Sequence, residues 1–252
     1  MDKLSYFDCF CSVGRVGSPI LLDIPDAAGL KREMAAAGVE RALVSHTMAR
    51  FGDPALGNAR LVEEIAGDAD LLPVWFLLPH HTGEMLPPRA LLEDLKASGV
   101  KAVRLDPGRA QHSFSLAEWS AGGLLEALEE ARLPLLLDTE IVTWEEVQTL
   151  LDRYPALPVI AANCSYRHDR YLYPLFAKHA NLSVEISRFL GAGTIEDVVR
   201  RFGARPLLFG TNMPYYTGTA AVGRLAYAEI ERTDKEAIAS GNLVRILGES
   251  WT

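Results

Sequence analysis

Short apolar runs alternate along the whole chain with longer stretches in which apolar residues recur every three or four positions. The runs predict buried strands and the stretches predict amphipathic helices, an order that belongs to a parallel sheet with crossover helices. Strands are expected over residues 6–11, 41–45, 72–78, 100–105, 134–137, 159–162, 182–186 and 206–209. Helices are expected over 26–37, 58–67, 91–98, 123–131, 143–154, 172–179 and 195–202, with C-terminal helices running through 236–247. Gly38 and Gly99 stand just after two of these helices, where glycine commonly ends a helix. Eight strand–helix units in 252 residues favour a closed (β/α)8 TIM barrel, α/β in class, over an open doubly wound sheet. Residues 1–252 are read as one domain. The longest loops are expected after strands one, two, four and eight, at the end of the barrel where such folds carry their sites.

Composition narrows the partners. A net charge of -8 argues against a general nucleic-acid or acidic-membrane partner, either of which calls for a basic surface. The longest apolar stretch, 71–78, is too short to span a bilayer. Met1-Asp2-Lys3-Leu4-Ser5 lacks a basic region followed by an apolar run, so no secretory signal is expected. The three cysteines give no disulfide framework. Together these lead to the expectation of a cytoplasmic protein. A homodimer is also expected, with the aromatic and basic stretch from Tyr166 to Tyr173 as a candidate contact.

Several polar residues fall at predicted strand ends. Arg104 and Asp106 flank Leu105 and point the same way; they form either a structural ion pair or a guanidinium fork for a substrate carboxylate. Asp138 and Glu140 repeat the spacing after strand five, and Glu185 lies in strand seven. With Asp106 they could make an acidic cluster holding a general acid or base. An oxygen cage for Mg2+ or Ca2+ is the alternative. His46 and His80 follow strands two and three, on mouth loops where polar side chains meet ligands. Tyr215 and Tyr216 follow strand eight and are candidates to line the pocket. Cys9 and Cys11 alternate with Asp8, Phe10 and Ser12 along strand one and are read as small buried residues facing the helix layer.

Four segments carry a family resemblance. Asp8-Cys9-Phe10-Cys11-Ser12 stands where D-x-H-x-H is usual. Leu133-Pro134-Leu135-Leu136-Leu137-Asp138 resembles a strand ending in histidine, with Asp138 in its place, and Pro158-Val159-Ile160-Ala161-Ala162-Asn163 does the same with Asn163. Leu207-Leu208-Phe209-Gly210-Thr211-Asn212-Met213-Pro214 resembles LLFGTDxP, with Asn212 at the aspartate. The chain thus resembles the amidohydrolase-related, metal-dependent hydrolases (amidohydrolase family 2), near the small decarboxylases and lactone hydrolases. The resemblance implies a TIM barrel and a divalent metal held by histidines of strands one, five and six and the aspartate of strand eight, activating a water. Here Phe10 has no lone pair to donate, Ser12 is a poor zinc ligand, and Asn163 and Asn212 are neutral amides. No cofactor is therefore expected, and zinc or magnesium only through a replacement donor set.

These readings lead to a hydrolase acting on a small carboxylated organic molecule. Asp138, His80 and Asp106 are the candidate catalytic residues, and Arg104, Asn163, Asn212, Glu140, Glu185 and His46 the candidate substrate contacts. A catalytically silent barrel that binds a ligand or partner is one alternative, and a decarboxylase-like C–C lyase the other.

Overall fold

The computed structural model describes residues 4–17, 20–189 and 191–251. Its strands are β1 (Tyr6–Val13), β2 (Val39–His46), β3 (Leu71–Phe76), β4 (Ala102–Arg104), β5 (Leu135–Asp138), β6 (Val159–Ala162), β7 (Leu182–Glu185) and β8 (Leu207–Leu208). All seven neighbouring pairs are parallel, in the order β1 through β8. The ring closes through backbone hydrogen bonds between β1 and the segment after β8. Cys9 N donates to Phe209 O at 2.9 Å, Asn212 N to Phe10 O at 2.7 Å and Ser12 N to Met213 O at 2.9 Å. The expected (β/α)8 TIM barrel is the observed fold.

The helices are α1 (Ala27–Ala37), α2 (Thr47–Phe51), α3 (Pro54–Glu64), α4 (Pro88–Ala97), α5 (Glu118–Glu130), α6 (Trp144–Arg153), α7 (Asp169–Lys178), α8 (Thr194–Phe202), α9 (Gly218–Tyr227), α10 (Arg232–Glu236) and α11 (Asn242–Gly248). Local chemistry sets their ends. Asp26 caps α1 by accepting from Gly29 N, and Gly38 closes it at φ +78°. Thr143 and Glu146 form a reciprocal capping box on α6. Among the described residues, no helix is long and apolar enough to cross a membrane.

Two apolar layers result. Phe7, Cys9, Phe10, Leu43, Val74, Ala102, Leu136, Ile160, Ala162 and Leu208 fill the barrel, with Leu243 and Ile246 packed among them. The outer layer lies between strands and helices and includes Cys11, Val13, Val44, Leu77, Leu105 and Leu137. α11 covers the amino-terminal end of the barrel. Its Asn242 Nδ2 donates to Ala204 O and Leu207 O at 2.8 and 2.9 Å, and Trp251 N beyond it donates to Ala131 O at 2.8 Å. The opposite end is left to the loops.

The expectation for Cys9 is corrected here. Cys11 faces the helix layer as read, but Cys9 belongs to the interior cluster with Phe7 and Phe10. The cause is a register shift: Asp8 pairs with Ala42 and Cys11 with Val44, so β1 spends one residue more than β2. A bulge of this kind breaks strict alternation. Burial pushes the thiols of both cysteines well above their ordinary range, and all three cysteines are free and buried.

The helix α2 went unforeseen, and α3 holds it in place. A Cβ on Gly57 would stand 2.2 Å from Ala49 N and 2.5 Å from Ala49 Cα. Gly57→Ala would gain up to about 1 kcal/mol of helix propensity. The backbone overlap reverses the sign, and a net loss of about 1–3 kcal/mol is expected. Chemical denaturation checks this; a Gly57→Ala protein as stable as wild type would show that α2 can move aside freely.

Candidate functional site

The strand ends and the short helix α2 place a connected set of polar side chains at the barrel mouth. Asp106, two residues beyond the end of β4, is wholly buried, and Asp138, the last residue of β5, is nearly so. Arg50 of α2 joins them. Its Nε donates to Asp106 Oδ2 at 2.9 Å and its Nη2 to Asp138 Oδ2 at 2.9 Å. Asp138 Oδ2 also accepts from Asn163 Nδ2 at 2.7 Å, and Asp138 Oδ1 accepts from Glu140 N at 3.0 Å. Asn212 Nδ2 in turn donates to Asn163 Oδ1 at 2.7 Å. The chain Asp106–Arg50–Asp138–Asn163–Asn212 therefore runs round the mouth through four strand ends.

Asn163 and Asn212 sit at φ +60° and +55°, a left-handed backbone that asparagine tolerates better than most residues. Glu185 supports this turn from below. Its Oε1 accepts from Asn163 N at 2.8 Å and Ser187 Oγ at 2.9 Å, and its Oε2 from Ser187 N at 2.6 Å. Burial pushes its carboxyl above the ordinary range against these hydrogen bonds. Glu185 thus shapes the backbone of the site and does not join Asp106 and Asp138 in one acidic cluster.

Arg104 completes the mouth. Its guanidinium carbon lies 4.8 Å from the Phe10 ring centroid and 4.6 Å from that of Phe76. Asn58 holds the Phe76 backbone in place, its Nδ2 donating to Phe76 O at 2.8 Å and its Oδ1 accepting from Phe76 N at 3.0 Å. Arg104 Nη2 is 3.7 Å from Asp106 Oδ1, close enough for attraction but too far for a hydrogen bond. Among the described residues, Arg104 Nε and Nη2 and Asp106 Oδ1 are buried with no hydrogen-bond partner. Burial lowers the Arg104 pKa, Asp106 opposes that, and Arg50 adds to it. Leaving buried donors and acceptors unpaired costs about 1–3 kcal/mol each.

The other sequence candidates lie elsewhere. His46 caps α2 by accepting from Met48 N at 3.0 Å, and its Nε2 is 3.8 Å from Glu64 Oε1. Its ring serves the α2–α3 corner. His80 is in a single turn of 3-10 helix with its ring 4.6 Å from that of His81. No hydrogen bond links it to the mouth network among the described residues. Glu140 is exposed and paired with Arg188 at the rim, and Arg167 lies against the exposed Tyr166. Tyr215 is half-buried, close enough to Arg50 and Arg104 to interact with their charge. Two residues missed in the sequence matter as much: Arg50, and His112 on the loop after β4. The imidazole Nε2 of His112 is 3.1 Å from Ala49 O, and its ring meets Phe76 edge-on at 6.0 Å. Burial pushes the His112 pKa down, so the neutral ring can tie α2, and hence Arg50, to the β4 loop.

The Amidohydrolase family model matches residues 16–248. The chain belongs to this family. Among curated proteins no sequence matches significantly. Solved structures of the same fold include an uncharacterised TIM-barrel protein from Bordetella bronchiseptica, 18% identical with a TM-score of 0.76, the match covering 98% of this chain and 99% of that one. A dihydroxybenzoic acid decarboxylase from a Polaromonas species, with bound manganese and the inhibitor 2-nitroresorcinol, is 16% identical at a TM-score of 0.70, covering 98% and 97%. A probable 2-pyrone-4,6-dicarboxylic acid hydrolase from Acinetobacter baumannii, with citric acid bound, is 14% identical at 0.69, covering 97% and 100%.

Proposed function

We propose that this amidohydrolase-family barrel is a hydrolase for a small carboxylated molecule, working without a resident divalent metal. The observation that carries the reading is Arg104, buried at the mouth between two phenyl rings with two nitrogens unpartnered. A guanidinium in this state matches a carboxylate fork to fork. Citric acid, bound to one of the fold neighbours, supports the same substrate class.

The donor set does not fit a metal. Phe10, Ser12, Asn163 and Asn212 occupy the family's ligand stations, and the remaining one, Asp138, already accepts three hydrogen bonds. Among the described residues, no three His, Cys, Asp or Glu side chains are grouped to hold an ion. Proton transfer is therefore assigned to Asp106. Asp138 has both oxygens engaged, whereas Asp106 Oδ1 is free beside Arg104 and can take a proton from an attacking water. Asp138 positions Arg50 and Asn163, while His46, His80 and Glu140 have no part in this step.

Loss of CO2 is the second reading, favoured by the decarboxylase among the fold neighbours. Product analysis with carboxylated lactones and with hydroxybenzoates separates the two. The carboxylate site itself is tested by calorimetry with citrate and 2,6-dihydroxybenzoate. Arg104→Met is expected to weaken binding roughly 30-fold, the value of about 2 kcal/mol for a charge-assisted pair. Equal binding by wild type and Arg104→Met would sink the clamp. Binding without turnover of either substrate class would turn the reading into a ligand-binding barrel.

A further inference from the structure

The mouth carries a fixed cation between its two carboxylates. Arg50 reaches Asp106 with Nε and Asp138 with Nη2, both at 2.9 Å. Its Nη1 makes no hydrogen bond to the protein among the described residues. Burial works against the Arg50 charge, but Asp106 and Asp138 outweigh it and raise its pKa. The ring of Phe51 stands 5.3 Å from the guanidinium carbon. Formally, Arg50 and Arg104 balance Asp106 and Asp138, so the mouth needs no further positive charge.

We infer that the Arg50 guanidinium is the resident cation of this mouth: it takes the electrostatic place of the family's divalent metal and keeps such ions off Asp138. The inference rests on the mouth being the functional site, but not on the identity of the substrate. A divalent ion at Asp138 would have to displace Nη2 of Arg50 and the Asn163 amide. It would also meet two guanidinium charges among largely buried side chains, where like charges repel strongly. The arrangement has a further consequence. Arg50 presents Nη1 beside the same carboxylates, so a charge-bearing donor remains available to an oxyanion developing next to Asp106. Its planar fork spans two carboxylates at once, which the point charge of a lysine does not.

Manganese titration of chelator-treated, full-length protein tests this, followed by calorimetry and by the paramagnetic resonance of free Mn2+. Wild type is expected to show no binding below about 1 mM. Arg50→Met frees both carboxylates and is expected to bind Mn2+ at least about tenfold more tightly, since hard oxygen donors suit that ion. Methylguanidinium added to Arg50→Met should compete with Mn2+, a rescue that a merely structural arginine would not give. Arg50→Gln keeps hydrogen-bonding capacity without the charge and serves if Arg50→Met does not fold; it too should gain Mn2+ binding. Stoichiometric micromolar binding by wild type, or no gain in the folded variant, would overturn the inference. Failure of the carboxylate reading is separate, because it shows as lost citrate binding while the manganese result stands.

Discussion

Asp106→Ala is expected to destabilise the protein by about 3–5 kcal/mol, the loss typical of removing one partner from a buried charge pair. Asp106 is fully buried and, among the described residues, is the carboxylate within 4 Å of both mouth arginines. Its removal leaves Arg50 attached to Asp138 alone. It also leaves Arg104, already short of hydrogen bonds, with no adjacent counter-charge. Contact with Phe10 and Phe76 would still favour the Arg104 cation by about 2 kcal/mol, too little to replace the ion pair. For a chain of this size the loss corresponds to a fall in Tm of roughly 10 °C. Adding Arg50→Met to Asp106→Ala should cost less than the sum of the two single changes, because the Asp106–Arg50 ion pair at 2.9 Å is lost in each single variant and is therefore counted twice in the sum. Urea denaturation of the two single variants and the double variant makes the test. A loss under about 1 kcal/mol, or strict additivity, would mean that the mouth arginines are held by solvent and not by Asp106.

The strands were legible because their burial is nearly continuous. β6 was expected over 159–162 and is found over Val159–Ala162, and β5 differs by a single residue at each end. Helix starts were harder. α5 begins at Glu118, five residues before the expected start at 123, because Glu118 and Trp119 face solvent and carry no apolar period. α2 has five residues, less than two turns, so no periodicity could reveal it. Its capping residue, His46, was read as a ligand contact because a histidine at a strand end has the same sequence signature whether it caps a helix or faces a pocket.

The site was legible in part, and for a physical reason. Residues at strand ends are placed by the barrel itself, so Arg104, Asp106 and Asp138 could be found from strand-end spacing, and Asn163 and Asn212 from the family resemblance at the ends of strands six and eight. Arg50 is placed by a short helix that depends on the absence of a side chain at Gly57 and on the His112 contact to Ala49. The second joins residues 63 positions apart, and the first is a close approach of two helices that no spacing rule reveals. One signal was available. Two aspartates predicted to face inward at neighbouring strand ends demand a counter-charge, and Arg50 is a cation on the loop between strands two and three. The one-residue slip at Asp8–Cys11 was likewise beyond reading from alternation, since a bulge has no fixed signature without glycine.

That bulge surrounds the last expected effect, a pH dependence centred on Asp8. The residue is wholly buried where β1 meets the segment after β8. It accepts from Phe10 N at 2.9 Å, from Thr211 N at 3.0 Å and from the Thr211 hydroxyl. Burial pushes its carboxyl up to about 6, from an ordinary 3.8, against those hydrogen bonds. The folded protein therefore holds the Asp8 proton more tightly than the unfolded chain does. Below about pH 4 both states carry the proton and Asp8 makes no difference. As pH rises from there towards 6 the unfolded state ionises first, and stability falls. Above about pH 6 the full cost is present, about 3 kcal/mol for a shift of this size. Asp8→Asn cannot ionise, so it lacks this slope. It also puts an amide where Thr211 donates, which gives an offset independent of pH. Glu185 titrates in the same direction, but it is common to both proteins and largely cancels in the difference. Unfolding free energies of the two proteins, measured by urea between about pH 4 and 7, should diverge by about 3 kcal/mol in favour of the variant and then run parallel. A difference that stays constant across that range would show that Asp8 ionises at its ordinary pH, with the three donors offsetting its burial.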